Sequence, residues 1–199
     1  MRSVKRNRRP YRLGKRAESA AQTHRRIVEA TLQVHDEQGI TRTTVRDVAR
    51  RAGLSPATVL NHFPRMSDLI RACGQLSDEL LPLPTDAVLV GAQDRVEAVR
   101  FAARAMFAWW DALGSSWDHL QVDRRSLVEV DAWLRDVDRR RRALVAEAAG
   151  SGAGASVVSV VTALTSRGAW ISFRDGGLDV DGAAAEVART YRTSRKGMH

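Results

Sequence analysis

The stretch TVRDVARRAGLSPATVLNHF, residues 44–63, holds two short helical patterns separated by Gly53. In the first pattern, apolar residues repeat at the three- and four-residue spacing of one helix face, namely Val45, Val48, Ala49 and Ala52. Ser55 can cap the second helix, and Pro56 suits its first position because that position needs no amide hydrogen. The sequence therefore predicts two short helices joined by a tight turn.

The second of these helices has an unusually polar face. At 100° per residue, Val59 points away from the side that carries Thr58, Asn61 and His62. Hydroxyl, amide and imidazole groups hydrogen-bond to base edges and phosphates, and an exposed second helix after a glycine turn is the helix-turn-helix arrangement. On spacing alone, an ordinary helical hairpin with a solvated face is the commoner structure. Both interpretations stay open at this point.

Further helices are predicted on either side of this pair. From about residue 19 the pattern is helical, with one apolar stripe and an end at Gly39; the stripe consists of Ile27, Ala30, Thr31 and Val34. Thr43 is the expected N-cap of the second helix, and Ser67 that of a fourth helix that ends before Pro82. The single cysteine, Cys73, lies on the apolar face of that fourth helix, so we expect a buried residue rather than a redox sensor.

Composition and charge narrow the class of protein. A chain of 199 residues with 44% apolar residues can bury a core, and its apolar runs are too short to span a membrane, which predicts a soluble cytoplasmic protein. Most of the net charge of +9 lies in residues 1–25, which hold nine Lys or Arg and one acid. Residues 1–18 are therefore expected to form a disordered basic arm. It can either follow DNA phosphates or remain a solvated tail.

The segment RRIVEATLQVHDEQGITRTTVRDVARRAGLSPATVLNHFPRMSDLI, residues 25–70, resembles the N-terminal domain of the tetracycline-repressor (TetR) family of bacterial transcription regulators. Four short motifs follow one another in the same order as in the family: the QG after the first helix, the TTVRDVA run, the AGLS turn and the NHF ending. The resemblance implies an all-α fold, with a three-helix helix-turn-helix DNA-binding domain over 19–66 and a helical effector-binding and dimerisation domain over 67–199. It also implies a homodimer on a pseudo-palindromic site in double-stranded DNA.

The resemblance implies which residues touch DNA. The residues expected to contact phosphates are Thr44, Ser55 and His62. The residues expected to contact base edges are Ala57, Thr58 and Asn61. Arg46 is expected near the DNA backbone or a base, and Pro56 is the first residue of the helix that carries this surface.

Three positions depart from the family pattern. Leu60 replaces a tyrosine that touches phosphate, so a contact with a thymine methyl becomes possible instead. Met66 replaces a frequent lysine, and the neighbouring Arg65 is expected to supply the charge. His35 fills the place of a core aromatic residue, and we expect a packed neutral histidine rather than a pH switch.

Beyond Pro84, helical patterns cover about 93–113, 126–148, 153–173 and 181–192, and β signals are nearly absent. Nine of the eleven aromatic residues lie in this part of the chain, either in packed cores or around an apolar pocket. The candidate pocket residues are Phe107, Trp110, Trp117, Trp133 and Trp170. The resemblance places the dimer interface on the last two helical patterns. The run Arg139–Arg142, with acids nearby, predicts a solvated, ion-paired face.

Together these features predict a DNA-binding transcription regulator of the bacterial cytoplasm and nucleoid, a repressor released by a hydrophobic or aromatic small molecule. A first alternative is control by a protein partner, or broad nucleoid-type binding with no effector. A second is an enzyme with an incidental helical head. We find no phosphate loop, HExxH or serine elbow, and therefore expect no catalytic residue, metal or cofactor, although scattered acids such as Asp111, Asp118 and Asp123 leave the second alternative open.

Overall fold

The computed structural model describes residues 9–196, and every element of regular structure in that range is helical, which confirms the all-α prediction. The helices are α1 (Arg9–Gln38), α2 (Val45–Ala52), α3 (Pro56–His62), α4 (Met66–Leu80), α5 (Arg95–Leu113), α6 (Ser116–Asp123), α7 (Val128–Ala149), α8 (Ala155–Leu164), α9 (Arg167–Asp175) and α10 (Val180–Lys196). A short 3-10 helix, Asp86–Leu89, precedes α5.

The chain forms two compact units. The first extends to Ser77 and also includes Asp118–Glu129, whereas the second consists of Asp78–Trp117 and the chain from Val130 onward. The first unit therefore extends beyond residue 66, where the sequence predicts the end of the DNA-binding domain. The reason is that the apolar face of α4 belongs to the same core as α1, α2 and α3. That face consists of Leu69, Cys73 and Leu76.

The core of the first unit follows the periodicities of the sequence. The predicted stripe of α1 is buried along its whole length, and α3 contributes only Val59 to the core. Cys73 is buried with its Sγ 3.6 Å from the carbonyl oxygen of Val28. Burial raises the pKa of this thiol to about 12, which confirms a packed residue rather than a reactive thiolate.

Several boundaries in the first unit differ from the sequence expectations. Helix α1 begins at Arg9, so residues 9–18 of the expected disordered arm are helical, whereas residues 1–8 lie outside the described residues. Extending a helix that tertiary packing has already nucleated costs little, and arginine, lysine, leucine and alanine are good helix formers. Helix α4 begins at Met66, one residue before its expected cap.

The cap of α2 is Thr44 rather than Thr43. The Thr44 hydroxyl accepts a hydrogen bond from the backbone N–H of Asp47 (3.2 Å), and the Asp47 carboxylate accepts one from the backbone N–H of Thr44 (3.1 Å). Thr43 is buried, and its hydroxyl donates to the carbonyl oxygen of Gly39 (2.7 Å). Only Thr44 has an acid three residues later, so only Thr44 can complete this reciprocal capping box.

The second unit is a helical bundle in which α5 packs against α9 and α10, and α8 against α9 and α10. Helices α5, α7 and α10 correspond to the predicted patterns, but 153–173 is two helices, α8 and α9, rather than one. Ser166 causes the break, because its hydroxyl accepts from the backbone N–H of Ala169 (3.2 Å) and begins a new helix. Helix α6 had no counterpart in the sequence patterns.

The arginine run is not uniformly solvated as expected. Arg139, Arg140 and Arg142 make ion pairs on the surface of α7, with Asp136 and Asp138 as their acids.

Arg141, in contrast, is only 7% exposed. Its guanidinium donates to the Thr162 carbonyl oxygen, to the Thr165 hydroxyl (3.3 Å) and to Asp138 (2.6 Å). The last turn of α8 leaves carbonyl oxygens without helical partners, and a cation stabilises that end of the helix. Arg141 therefore links α7 to α8 in the core of the second unit.

Candidate nucleic-acid interface

Helix α3 is defined by its caps. The Ser55 hydroxyl accepts from the backbone N–H of Thr58 (3.1 Å), and Pro56 occupies the first helical turn. At the other end, the backbone N–H of Phe63 donates to the carbonyl oxygen of Val59 (2.8 Å). Gly53 has φ +63°, so the turn before α3 requires the left-handed conformation that glycine adopts without strain. These local signals fix where α3 begins and ends.

The predicted contact surface of α3 lies at the surface of the first unit. Ser55, Pro56, Ala57, Leu60 and Asn61 are exposed, and Thr58 and His62 are half-buried. Val59 is fully buried on the opposite side. Leu60 is 46% exposed, although it is a large apolar residue among polar ones. An apolar group on this face matches a thymine methyl in a major groove.

The hydroxyl groups at the helix starts also serve as caps. The Thr44 hydroxyl donates to Asp47 (2.6 Å), and the hydrogen bonds from Thr44 lower the pKa of that carboxyl. A phosphate bound by Thr44 must therefore compete with Asp47. The Ser55 and Thr58 hydroxyl oxygens are 2.8 Å apart and share one hydrogen, which leaves the second hydroxyl hydrogen of this pair for an acceptor on DNA.

Arginine side chains flank this surface. Arg46 is exposed, and no ion pair in the described part of the chain includes it. Arg65 is exposed and pairs with Asp68 (3.0 Å). Surface ion pairs contribute little, so Arg65 can exchange its carboxylate partner for a phosphate. The structure thus presents both arginines that the sequence assigned to DNA.

His24 lies beside the candidate DNA-contact surface of α3, and the sequence patterns did not predict it as part of that surface. Its ring lies 4.5 Å from that of Phe63 and 6.3 Å from that of His62, measured between centroids, so a second imidazole stands beside the end of α3. The position was detectable, since His24 precedes Ile27 by three residues and Thr31 by seven, which continues the inward stripe of α1 by one turn.

His35 is a packed residue of α1. It is 7% exposed, and its Nε2 atom has no hydrogen-bond partner among the residues that the structure describes. Burial lowers its pKa to about 4, and the nearby charge of Asp123 only partly opposes this shift. His35 is therefore neutral at neutral pH, which confirms the expectation for this position.

The candidate effector residues lie in the second unit. Phe107, Trp110 and Trp170 are buried, with the rings of Phe107 and Trp170 stacked at 5.4 Å and those of Trp110 and Trp117 edge to face at 4.7 Å. Trp133 stands apart from these pairs, and its indole N–H donates to Asp78 (3.2 Å). These rings pack against one another and against the core, so a pocket among them stays a prediction.

Two surface grooves of the second unit have volumes of about 660 and 550 Å³. Both lie at the start of α5, around Asp94 and Val96, and neither is lined by the candidate aromatic residues.

None of the helices that the structure describes combines the length and the apolar composition needed to span a membrane. Nor do residues 9–196 contain three or more His, Cys, Asp or Glu side chains grouped so as to hold a metal ion.

Comparison with known proteins agrees with this geometry. Residues 27–73 match the family model of the bacterial regulatory proteins of the tetR family. No curated protein sequence matches the chain significantly.

Among solved structures, the chain is similar to a TetR-like transcriptional regulator from Rhodococcus sp. RHA1, with 18% identity, a TM-score of 0.60, and coverage of 88% of this chain and 96% of that chain. It is also similar to a candidate transcriptional regulator from Streptomyces coelicolor A3(2), with 22% identity, a TM-score of 0.52, and coverage of 84% and 98%. At these identities the structures establish the fold alone, and the family match covers the segment that contains α2 and α3. Residues 27–73 therefore hold a domain of the tetR family of bacterial regulatory proteins, and the chain has the fold of TetR-like transcriptional regulators.

Proposed function

We propose that this regulator is a homodimeric repressor that places its two α3 helices in successive major grooves of a pseudo-palindromic operator. The exposed face of α3 is the observation that carries the proposal. A seven-residue helix that gives only Val59 to the core contributes little to stability. Its outer face nevertheless presents Leu60 and Asn61 to the surroundings, and these side-chain types match thymine methyl groups and adenine edges. Thr44, Ser55 and His62 would hold the flanking phosphates.

Dimerisation through the last helices of the second unit is supported by the exposed side of α8. Val157 and Val161 are buried within the protomer, so they are not free for a partner. Ser156, Val160 and Ala163 are exposed at four- and three-residue spacing and form a narrow stripe of small and apolar groups. Such a stripe allows close approach of a symmetric copy.

Release by an effector requires that the ligand favour a protein state that fits the operator poorly. We place the effector among the aromatic residues of the second unit, where Phe107 and Trp170 provide flat apolar surfaces for a hydrophobic or aromatic molecule. Affinities for effector and operator then oppose each other through one coupling energy of about 1–3 kcal/mol.

Asn61 gives the sharpest test of base reading. We expect Asn61→Ala, and likewise Thr58→Ala, to reduce the preference for the operator over random DNA by about 1–3 kcal/mol each. Competition binding against both DNAs measures this preference. Thr85→Ala is a matched control, because Thr85 is exposed before the 3-10 helix, makes no side-chain cap hydrogen bond there and should leave both affinities unchanged. Equal losses on operator and random DNA would show that α3 reads no bases.

The basic arm supports a second candidate, broad binding with weak sequence preference. Residues 1–16 contain eight Lys or Arg and no acid. If they lie along phosphates, deleting them should weaken binding to all DNA and flatten the dependence of log K on log salt by about 0.9 for each phosphate that the arm neutralises. Titrations at several salt concentrations measure the slope. A slope identical to that of the full chain would show that the arm makes no phosphate contact.

A further inference from the structure

The loop between α1 and α2 binds a carboxylate from a distant part of the sequence. The backbone N–H of Ile40 donates to Oδ2 of Asp123 (2.6 Å), and the backbone N–H of Thr41 donates to Oδ1 (3.2 Å). The Thr41 hydroxyl donates to the same Oδ1 (2.5 Å). Asp123 is 2% exposed and lies 82 residues beyond Thr41. Three donors thus converge on one buried acid.

Gly39 shapes the loop for this acid. Its φ of +84° is left-handed, and after such a residue successive N–H groups turn toward the same side and form a concave anion site. A Cβ at Gly39 would lie 3.2 Å from Oδ2 of Asp123, so a side chain there would be both strained and crowded. Glycine is therefore required by the approach of Asp123 as well as by the turn.

The hydrogen-bond donors of this loop stabilise the carboxylate of Asp123. No ion pair in the described part of the chain includes Asp123. The charge of Asp123 acts on His35 of α1, and His119 of helix α6 has its Cβ 3.7 Å from the position that a Cβ on Gly39 would occupy. A buried carboxylate without a cation depends on its hydrogen-bond donors. An asparagine of the same shape carries no charge and would turn an N–H group toward at least one of these donors.

The loop leads directly into the DNA-facing surface. Thr43 is the last residue of this loop. Its backbone N–H donates to the carbonyl oxygen of Ile40 (3.0 Å), and its hydroxyl donates to the carbonyl oxygen of Gly39. The next residue, Thr44, caps α2. Asp123 belongs to the segment Asp118–Glu129, which is part of the first unit although the chain on both sides of it belongs to the second.

We propose that Asp123 is a positioning residue for DNA binding: its carboxylate holds residues 39–41 so that Thr44 and the start of α2 lie where the operator backbone requires them. This inference rests on the proposed function, since it assigns to that function a residue outside the helix-turn-helix sequence. It makes operator affinity depend on the segment that interrupts the second unit.

The test uses the full chain and a genomic DNA fragment that the wild-type protein retains. Asp123→Asn should bind this fragment about tenfold more weakly, at a temperature where circular dichroism shows it folded. Its Ile40 and Thr41 amides should exchange hydrogen faster, while the Val59 amide should not change. Asp111→Asn is the matched control on an exposed acid of α5 and should behave as wild type.

A role confined to stability would leave the affinity of the folded protein unchanged, so wild-type affinity of folded Asp123→Asn would overturn the proposal. If that variant does not fold, the Thr41→Val variant tests the proposal instead, because it removes the hydroxyl donor to Asp123 and keeps the buried carboxylate. An affinity reduced a few-fold supports the proposal, and an unchanged affinity refutes it. Failure of the proposed function would look different, since wild-type protein would then retain no fragment, or only fragments with no common sequence.

Discussion

A Val59→Asp variant is expected to lose all detectable operator binding while its second unit stays folded. Val59 has no exposed surface and packs in a core with Ile27 and Val48. An aspartate there would bury a charge without a partner, which costs several kcal/mol, a large part of the stability of a small domain. Since α3 has no other buried residue, it would lose its only anchor in the first unit.

The two units can be followed separately in this variant. All five tryptophans lie in the second unit, so their fluorescence reports on that unit, whereas circular dichroism reports on the helices of both. We expect loss of part of the helical signal with little change in fluorescence. Val128→Asp is the control, because Val128 is 76% exposed at the start of α7. Operator binding by Val59→Asp at the wild-type level would contradict the assignment of α3.

The first unit should become less stable as the pH falls from about 6.5 to about 4. Burial lowers the pKa of His35 from 6.5 to about 4, so the unfolded chain takes up a proton in this range before the folded protein does. Above pH 6.5 the residue is neutral in both states and contributes nothing to the pH dependence. Across the range, the free energy of unfolding should fall by about 3 kcal/mol from this residue alone.

Replacing His35 by phenylalanine isolates this effect. The variant keeps an aromatic side chain at the buried position but has no titratable group, so its unfolding free energy should change less between pH 6.5 and 4. Urea unfolding at several pH values, followed by circular dichroism, gives the difference between the two proteins. Parallel pH profiles for wild type and His35→Phe would show that His35 is not the group responsible.

The elements that the sequence predicted well are those set by local signals. The inward stripe of α1, the turn at Gly53 and the Ser55 cap of α3 each depend on residues within two turns of one another. The exposed polar face of α3 follows from the same periodicity. The choice of Thr44 over Thr43 was also available locally, because Asp47 stands at the third position after Thr44.

The features that sequence patterns missed depend on contacts between distant residues. Arg141 looks like its three neighbours in the arginine run, and only the position of α8 shows that this one side chain is buried. Asp123 looked like one of several scattered acids, and its role depends on a loop 82 residues earlier. Helix α6 has little apolar periodicity, since its buried residue is that same acid.

Sequencing the genomic fragments that the purified protein retains at physiological salt shows whether the exposed face of α3 reads DNA sequence. We expect these fragments to share one pseudo-palindromic site, with half-sites about one helical turn of DNA apart or a multiple of it. We also expect Asn61→Ala to retain these fragments with reduced preference. Fragments with no common sequence, retained equally by both proteins, would contradict sequence reading by α3.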